Sequence, residues 1–463
     1  MSSLSDVFKA YDIRGVVPDQ LNALQFRAIG AAFARFAGAP KILLARDMRA
    51  SGVELSAAFA AGVRSEGVGV VDLGMGSTDM LYFAAGKLDA PGAMFTASHN
   101  PARYNGLKLC LAGAKPVGRD TGLVEIQSGA ESLLEAWSAS GVPDLDEATA
   151  GTFGSRDVLA DFADHVRSFV DTAALRPIRV VADTANGMGG LVAPAVFAGL
   201  PFEVEWMFPE LDGNFPNHPA DPIQPENLVW LQQRVLDTGA DVGLAFDGDA
   251  DRVFLVDEHA QLVSGSLTTA LVAAAMLDKH PGATVLYNCI CSKVVPETIG
   301  EKGGTGLRTK VGHSYIKQVM AETGAIFGGE HSGHYYFRDN YRADSGIIAA
   351  LLVLELMSVT QRPLSELLVP FRRYAASGEI NTEVADPAGT VALVASAVEA
   401  ADGALGVADH LDGLTVERGD WWFNLRPSNT EPLLRLNVEA PDEAQCAERV
   451  REVQQMIADL AAS

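Results

Sequence analysis

Residues 41–73 read KILLARDMRASGVELSAAFAAGVRSEGVGVVDL, and they contain the pattern that decides the fold. The aliphatic run 41–45 predicts a strand, 46–52 a loop, 53–66 an alanine-rich helix and 67–73 a second strand. Related patterns follow at 178–190, and at 284–287 with a helix near 293–300. Strands that alternate with helices are typical of βαβ units, so we predict an α/β fold with mixed or parallel sheets.

The composition limits the classes of protein to which this chain can belong. At ~150 residues per domain, a chain of 463 residues predicts about three domains, and four fit the length as well. The 59 acidic and 35 basic residues give a formal charge of −24. Phosphate backbones and anionic lipids bind basic faces, so we expect neither a nucleic-acid partner nor a membrane partner.

Cysteine usage and hydropathy indicate the compartment. Four cysteines are too few for a disulfide scaffold, and no second pair accompanies Cys289 and Cys291 to complete a zinc site. Asp6 and Lys9 fall where a secretory signal would be apolar. The longest apolar run, 347–354, is short of the ~20 residues that span a bilayer. We expect a soluble, reduced, cytoplasmic protein.

The boundaries between the blocks are soft. Residues 138–155 are rich in Ser, Gly, Ala, Asp and Thr, and we expect them to link the first two blocks. The turn at 257–259 is expected to separate the second block from the third. The last segment differs, because strands over 379–384 and 433–438 precede a closing helix. The apolar stripe of that helix has helical spacing and predicts core packing: Cys446, Val450, Val453, Ile457 and Leu460.

The first segment with chemical potential is Thr96-Ala-Ser98-His99-Asn100-Pro101, which follows the apolar strand 93–95. Pro101 biases Asn100 away from helix, which predicts a shaped loop. Ser98 and His99 are not a nucleophile and its base, because neighbours on a strand point apart. Taken alone, the segment fits an ordinary turn as well as a site.

The second segment, Asp247-Gly-Asp249-Ala-Asp251-Arg252, lies between apolar strands at 242–246 and 253–256. Carboxylates at i, i+2 and i+4 repel one another unless a cation offsets the charge, and oxygen ligands select Mg²⁺ or Ca²⁺. An EF-hand is excluded, because Arg252 occupies the sixth position, where Gly is required. We favour a metal site with coordination positions open to a phosphate; the alternative is a solvated acidic turn.

Two further loops suggest binding rather than catalysis. Residues 328–334, GGEHSGH, lack the H-E-x-x-H order of a zinc protease, and they could present Glu330, Ser332 and His334 to a polyhydroxylated ligand. The run Arg426-Pro-Ser428-Asn429-Thr430 has the composition of a phosphate cradle. Either segment could instead be a structural turn.

Several residues remain as individually weak candidates for donors in a site: Tyr11, Arg14, Lys108, Lys293 and His313. Lys108 follows the Ser98 loop closely enough to return towards it. Other motifs are missing from the sequence, namely the P-loop, the dinucleotide fingerprint and the G-x-S-x-G elbow.

Together, in this order and spacing, the four loops at 96–101, 247–252, 329–334 and 426–432 resemble the signatures of the α-D-phosphohexomutase superfamily, in particular its bacterial phosphomannomutase/phosphoglucomutase branch. The resemblance implies four domains around a central cleft. Three would share a mixed-sheet α/β topology, and a smaller α+β domain would follow. We place them at 1–150 with the phosphoserine loop, 151–257 with the metal loop, 258–369 with the sugar loop and 370–463 with the phosphate loop.

The resemblance also implies roles for the candidate residues. Ser98 would be the phosphoserine and a metal ligand, beside one Mg²⁺ held by Asp247, Asp249 and Asp251. Arg252 would lie beside the phosphoserine, and the proton-transfer candidates are Lys108, His313 and His334. The remaining roles are substrate binding by Tyr11, Arg14, Lys293, Glu330, Ser332, His334, Arg426, Ser428, Asn429 and Thr430. Position 250 is Ala where many members have Gly, which changes no ligand.

The implied reaction is the interconversion of mannose 6-phosphate and mannose 1-phosphate through a hexose 1,6-bisphosphate, which would also serve as activator, with glucose phosphates as co-substrates. The intermediate must turn over inside the cleft, so we expect the fourth domain to close by a hinge near 365–375. The partner is a small phosphosugar, and a monomer or weak homodimer is expected. The alternatives are a phosphoglucosamine mutase, a metal-dependent phosphatase, and a metal- or sugar-binding module.

Overall fold

The computed structural model describes residues 4–400, 406–427 and 433–461. They form four successive units, each with its own sheet. The first three are α/β units with mixed sheets and the fourth is an antiparallel α+β unit, which confirms the fold class expected from the sequence.

The first unit has a seven-stranded sheet with the order β1-β5-β4-β2-β3-β7, and β6 pairs with β5. Helices cover it, with the capped helix α1 packed on α2 and α4. Its elements are β1 (Ile13–Val16), α1 (Ala23–Ala37), β2 (Lys41–Arg46), α2 (Ser51–Ser65), β3 (Gly69–Met75), α3 (Thr78–Lys87), β4 (Gly92–Phe95), β5 (Tyr104–Leu111), β6 (Lys115–Pro116), α4 (Leu123–Ser140) and β7 (Phe153–Ser155).

The second unit has the sheet order β12-β11-β10-β8-β9. β10 is parallel to β8 and antiparallel to β11, so residues 247–252 form the tight turn between two buried strands. Its elements are α5 (Leu159–Arg167), β8 (Arg179–Asp183), α6 (Gly189–Phe197), β9 (Glu203–Met207), α7 (Val229–Thr238), β10 (Val242–Phe246), β11 (Val253–Asp257) and β12 (Leu262–Val263).

The third unit has the sheet order β14-β13-β15-β16, and β15 and β16 form a hairpin whose turn lies within residues 329–334. Its elements are α8 (Gly265–Lys279), β13 (Thr284–Asn288), α9 (Val294–Glu301), β14 (Thr305–Thr309), α10 (His313–Thr323), β15 (Phe327–Gly329), β16 (Tyr335–Phe337), α11 (Gly346–Thr360) and α12 (Leu364–Leu368).

The fourth unit has the antiparallel order β17-β21-β20-β19-β18, with two helices packed on it. Its elements are β17 (Ala375–Glu383), α13 (Pro387–Ala400), β18 (Val407–Asp409), β19 (Leu414–Arg418), β20 (Trp421–Pro427), β21 (Leu433–Ala440) and α14 (Glu443–Ala461). The predicted stripe of the closing helix packs into this core through Cys446, Val453 and Ile457.

The hydrophobic cores show which units form one body. A single buried cluster contains residues of the first three units, such as Leu43, Phe246 and Leu351. The fourth unit has a separate cluster around Val416 and Phe423. Because apolar packing rather than polar contact fixes units to one another, the first three are joined more firmly than the fourth.

The segment 138–155 differs from the expected linker at both of its ends. Helix α4 continues to Ser140, and in its last turns Ser138 and Ser140 donate to the carbonyl oxygens of Glu135 and Ala136. Strand β7, at Phe153–Ser155, pairs with β3 and extends the first sheet past residue 150. The serine-rich composition predicts a linker, whereas the structure has a helix end and an edge strand in this segment.

Among the described residues, no single helix has the length and apolarity to cross a membrane. The pair Gly346–Thr360 and Leu364–Phe371 meets the criterion only jointly, and the two helices are bent by 100°. Helix α11 is buried in the shared core, which accounts for its apolar sequence.

Candidate active site

Ser98 lies in a tight loop directly after β4. Its backbone is left-handed, with φ of 48°, and its amide donates to Thr96 Oγ1 at 2.8 Å. A non-glycine residue in this region is held by its surroundings. The surroundings here are Arg49, whose guanidinium donates to the carbonyl oxygens of Ser98 at 2.8 Å and Asn100 at 2.6 Å, and also to those of Pro101 and Tyr104.

The acidic loop meets the Ser98 loop across the interface between the first two units. Ser98 Oγ donates to Asp247 Oδ2 at 2.6 Å. Backbone contact is equally close, because a Cβ built on Gly248 would lie 2.4 Å from the Ser98 carbonyl oxygen. Two segments 149 residues apart in the chain therefore form one centre.

Asp247, Asp249 and Asp251 are buried, and one oxygen from each lies within 4.8 Å of the others. Oδ1 of Asp249 and Oδ1 of Asp251 have no hydrogen-bond partner in the described structure, although both are buried. Buried carboxylate oxygens without partners are costly unless a cation takes them. The donor set of three carboxylates, all hard oxygen ligands, fits Mg²⁺.

Two basic side chains already offset part of this charge. Lys108 Nζ contacts Asp249 at 2.8 Å and Asp251 at 2.7 Å, and Arg252 Nε contacts Asp247 at 2.9 Å. Arg252 Nη2 also donates to Ser98 Oγ at 3.3 Å. Ser98 Oγ is thus placed between a guanidinium and a carboxylate, a position suited to a phosphoryl group and its counter-charges.

The environment shifts the proton affinities of these groups. Burial, reinforced by the neighbouring carboxylates, raises the pKa of Asp247 to about 7. Burial alone would lower the pKa of Lys108, but Asp249 and Asp251 hold it well above its usual value. Burial likewise opposes the charged form of Asp249, yet Lys108 holds the pKa of that carboxyl below its usual range. The centre therefore keeps Lys108 protonated.

His334 reaches the same centre from the third unit. Its Nδ1 lies 2.8 Å from Asp344 Oδ2 and 3.7 Å from Asp251 Oδ1. Burial alone would lower the pKa of His334, but Asp251 and Asp344 raise it overall. His313 begins α10 and packs against Tyr11, with ring centroids 5.5 Å apart; burial and Lys317 lower its pKa well below the usual value.

A cavity of about 950 Å³ opens beside this centre and is lined by all four units. Tyr11 and His99 belong to the first unit and Arg252 to the second. Ser332 comes from the third unit and Arg426 from the fourth. The cavity is large enough for a phosphorylated sugar. The wall carries four cations, Arg252, Lys310, Arg426 and Arg435, and three carboxylates, Asp221, Glu379 and Asp412, so it is less acidic than the molecule as a whole.

The remaining residues predicted for the site make other contacts in the structure. Glu330 is 2 % exposed, and its carboxylate accepts from Asn288, the Gly312 amide and Tyr336, so it is already satisfied by protein groups. Arg14 donates to Asn100 Oδ1 at 2.6 Å and so contacts the Ser98 loop. Lys293 donates to the Gly419 carbonyl and does not line the cavity. Ser428, Asn429 and Thr430 lie outside the described residues.

Reasoning from sequence missed several buried residues of this centre, among them Arg49 and Asp344. Arg49 could have been found, because it follows β2, the parallel neighbour of β4, and carboxyl ends of parallel strands share one edge of a sheet. Asp344 carries no comparable signal, since it reaches His334 only through the fold of the β15–β16 hairpin and the loop before α11.

Comparison with known proteins also gives four domains for this chain. Four models of phosphoglucomutase/phosphomannomutase match the chain: α/β/α domain I over residues 5–135, domain II over 160–261, domain III over 264–374 and the C-terminal domain over 379–459. A solved phosphoglucomutase/phosphomannomutase family protein from Burkholderia thailandensis covers 100% of this chain and 98% of its own, with a TM-score of 0.88 and 33% identity.

Two curated relatives are similar over nearly their whole lengths. The phosphohexose mutases of Xanthomonas campestris pv. campestris are 39% identical over 97% of this chain and 98% of their own. The phosphomannomutase of Escherichia coli strain K12 is 39% identical over 94% of both chains. Fold, site and relatives together define a phosphohexomutase, an isomerase that works by phosphoryl transfer. The chain belongs to the phosphoglucomutase/phosphomannomutase family.

Proposed function

We propose that this enzyme interconverts mannose 6-phosphate and mannose 1-phosphate, with glucose phosphates as further substrates, through phosphorylated Ser98 and a hexose 1,6-bisphosphate. The observation that carries the proposal is the 2.6 Å contact of Ser98 Oγ with Asp247 Oδ2 inside the acidic centre. This centre lies beside a cavity that extends to Arg426 in the fourth unit. A hydroxyl beside the cavity, next to the wall residues His99 and Arg252, and a cation from another unit on the same wall suit a substrate with a phosphate at each end.

Asp247, Asp249, Asp251 and the Ser98 oxygen would hold one Mg²⁺, which when bound supplies positive charge beside the phosphoryl group. Arg252, whose Nη2 lies 3.3 Å from Ser98 Oγ, contributes a second positive charge. Phosphoryl transfer depends chiefly on in-line positioning and charge stabilisation, and these residues provide both.

The reaction has two transfers. In the first, a sugar hydroxyl attacks the phosphorus on Ser98; the new sugar O–P bond forms, the Ser98 Oγ–P bond breaks, and the hydroxyl proton passes to a base. The bisphosphate then turns over, so that its other phosphate faces Ser98. In the second transfer, Ser98 Oγ takes that phosphoryl group, the sugar O–P bond breaks, and the sugar oxygen recovers a proton.

His334 is the base that we favour. Asp344 lies 2.8 Å from its Nδ1, so the Nδ1 proton is held there and Nε2 is left to exchange a proton. His313 is the second candidate, and Lys108 is the weakest, because Asp249 and Asp251 keep it protonated.

The non-reacting phosphate would bind in the fourth unit, at Arg426 and the segment with Ser428, Asn429 and Thr430. Ser332 and Tyr11 on the cavity wall would contact the sugar. Glu330 would accept from a sugar hydroxyl only after releasing one of its protein partners.

A coupled assay with the 6-phosphates of mannose, glucose and glucosamine tests the substrate. We expect mannose 6-phosphate to turn over fastest, and fastest turnover of glucosamine 6-phosphate would contradict this. Free inorganic phosphate separates a phosphatase from a mutase, because a mutase transfers the group rather than releasing it to water. Ser98→Ala should abolish mutase activity, while the control Ser132→Ala, on the exposed face of α4, should not.

A further inference from the structure

A second pocket, of about 220 Å³, lies between the first and third units, beside the active cavity. We name it the interunit pocket. Its walls come from the segment around β6 in the first unit and from helix α10 and the loop before α11 in the third. The residues that matter below are Lys115, Arg119, Tyr315, Tyr341 and Arg342.

Three of these residues are cations without a counter-ion. Lys115 and Arg119 are exposed and Arg342 is half-buried. Among the residues that the structure describes, no carboxylate lies within 4.0 Å of any of the three as an ion-pair partner. The wall carries one carboxylate, that of Asp120, so the balance of these exposed groups is positive.

A cluster of three unpaired cations is unusual for a chain with 59 acidic and 35 basic residues. Most guanidinium groups near the other surfaces are taken up in ion pairs, as Arg35 is with Glu66 and Arg234 with Glu205. Cations that are clustered and unpaired in a strongly acidic protein create a local field that attracts anions. Two arginines favour a phosphate, because the guanidinium fork matches phosphate oxygens.

The floor of the pocket is apolar. The side chains of Tyr315 and Tyr341 line it together with Ala10, Ala114, Pro116 and Ala321. A volume of about 220 Å³ has room for one ring system, which would pack against the parts of Tyr315 and Tyr341 that line the pocket. The Tyr341 ring already stacks on His165, with ring centroids 5.9 Å apart, so it is held in place on the pocket wall. Lys317 also lines the pocket, but its ammonium is taken up by Asp344 at 2.8 Å.

We propose that the interunit pocket, which shares only Ala10 and Tyr315 with the wall of the active cavity, is a second binding site for a phosphorylated small molecule that places one ring system, a sugar or a nucleobase, inside it. The ring would lie against Tyr315 and Tyr341, and the phosphates would bind Lys115, Arg119 and Arg342. A nucleotide and a sugar phosphate share this chemistry. The inference does not depend on which hexose the enzyme isomerises.

A ligand in this pocket would contact both the first and the third unit, so it would bind the folded enzyme and not the unfolded chain. Binding of that kind raises the melting temperature. The effect should grow with ligand concentration and disappear when the cations are removed.

Isothermal titration calorimetry on the full-length enzyme tests the proposal, with ADP as the nucleotide probe and ribose 5-phosphate as the sugar-phosphate probe. We expect one site per chain for at least one probe. Its affinity should fall at least about tenfold in the double variant Arg119→Ala/Arg342→Ala, because charge-assisted contacts to phosphate are lost. Affinity should be unchanged in Arg156→Ala, an exposed arginine away from the pocket.

The double variant should keep its KM for hexose phosphate in the mutase assay, and its melting temperature should no longer respond to the probe. Lys115→Ala provides a second variant and should weaken binding in the same direction. Full-strength binding to the double variant, or no binding of either probe at millimolar concentration, would overturn the proposal. Mutase activity of the wild type is a separate measurement and tests the proposed function independently.

Discussion

At the scale of single residues, Ser98 depends on Arg49 for its position. Arg49 is 1 % exposed, pairs with Asp47 at 3.1 Å and donates to four carbonyl oxygens of the Ser98 loop. Because a lysine cannot reproduce this fork, we expect Arg49→Lys to lower kcat by about tenfold or more, at about 1.5–3 kcal/mol per lost charge-assisted bond.

The measurement that shows whether Arg49 positions the Ser98 loop is the fraction of phosphoryl groups lost to water per turnover. This fraction should rise in Arg49→Lys, since a displaced Ser98 loop would no longer hold the group in line with the sugar. The matched control is Arg46→Lys, because Arg46 has one long bond, 3.5 Å, to the Asp47 carbonyl. A kcat within about twofold of wild type would contradict the role of Arg49.

Asp79 gives a pH dependence of stability. Burial raises the pKa of Asp79 to about 7, although Ser345 donates to it at 2.6 Å and Ser77 donates as well. The unfolded value is about 4, so folding favours the protonated form. This stabilisation is full below about pH 4 and is lost as the pH rises towards 7.

Asp79→Asn has no such titration. We therefore expect the melting temperature of the wild type to fall relative to that of Asp79→Asn between pH 5 and pH 8, as followed by circular dichroism. Glu125→Gln, an exposed carboxyl on α4, serves as the control and should show no such trend. A constant difference between wild type and Asp79→Asn across this range would refute the prediction.

At this scale, the spacing of the three aspartates predicts a shared cation site, whereas Ser98 is singled out only by the resemblance to a known family. The sequence could not show that Glu330 is enclosed by Asn288 and Tyr336, because those partners come from different elements of the third unit. Nor could it show that Asp249 and Asp251 already share Lys108.

At the scale of elements, the site is a contact between two loops that follow strands of different sheets, β4 in the first unit and β10 in the second. Gly248 allows this contact, because a Cβ there would lie 2.4 Å from the Ser98 carbonyl oxygen, which is backbone and cannot move freely. We expect Gly248→Ala to push the acidic loop away from Ser98 and to lower mutase activity by about a hundredfold, in line with the effect of misplacing a catalytic group by about 1 Å.

The matched control is Gly154→Ala, since a Cβ at Gly154 meets nothing within 4 Å. Activity should be measured over a range of Mg²⁺ concentrations, because the displaced aspartates should also require more metal. Equal activity in Gly248→Ala and Gly154→Ala would show that the two loops need not touch.

The elements themselves were largely predictable. Strand–loop–helix segments such as 41–66 carry their signal locally, in aliphatic runs followed by alanine-rich helices. The expected linker over 138–155 differs from the structure because β7 is an edge strand of three exposed residues, which carry no hydrophobic pattern.

At the scale of the whole molecule, polar contacts hold the fourth unit against the third. Arg308 at the end of β14 binds Asp409 and, at 3.2 Å, Glu417. We expect Arg308→Ala to favour an open cleft and to raise KM by about two- to fivefold, since partly exposed ion pairs contribute about 0.2–1 kcal/mol. Arg234→Ala, which removes an exposed pair inside the second unit, is the control for steady-state kinetics and should leave KM unchanged.

The expected hinge near 365–375 can be refined into a narrower proposal. Arg372 pairs with Asp257 at 2.8 Å and Arg373 with Glu301 at 2.6 Å, so the chain up to this point is fastened to the second and third units. Strand β17 then shows a register shift between Ala376 and Glu379, and Gly378 has a φ of 68°. We place the hinge at residues 375–379, where the chain enters a unit with its own core.

The most direct test of the central claim is the fate of one phosphoryl group on Ser98. Intact-mass measurement and peptide mapping of the purified enzyme should find a single phosphate at Ser98. Adding hexose phosphate should transfer that phosphate to the sugar, which becomes a bisphosphate, and no inorganic phosphate should be released. A phosphate located on another residue, or undiminished mutase activity in Ser98→Ala, would contradict the account.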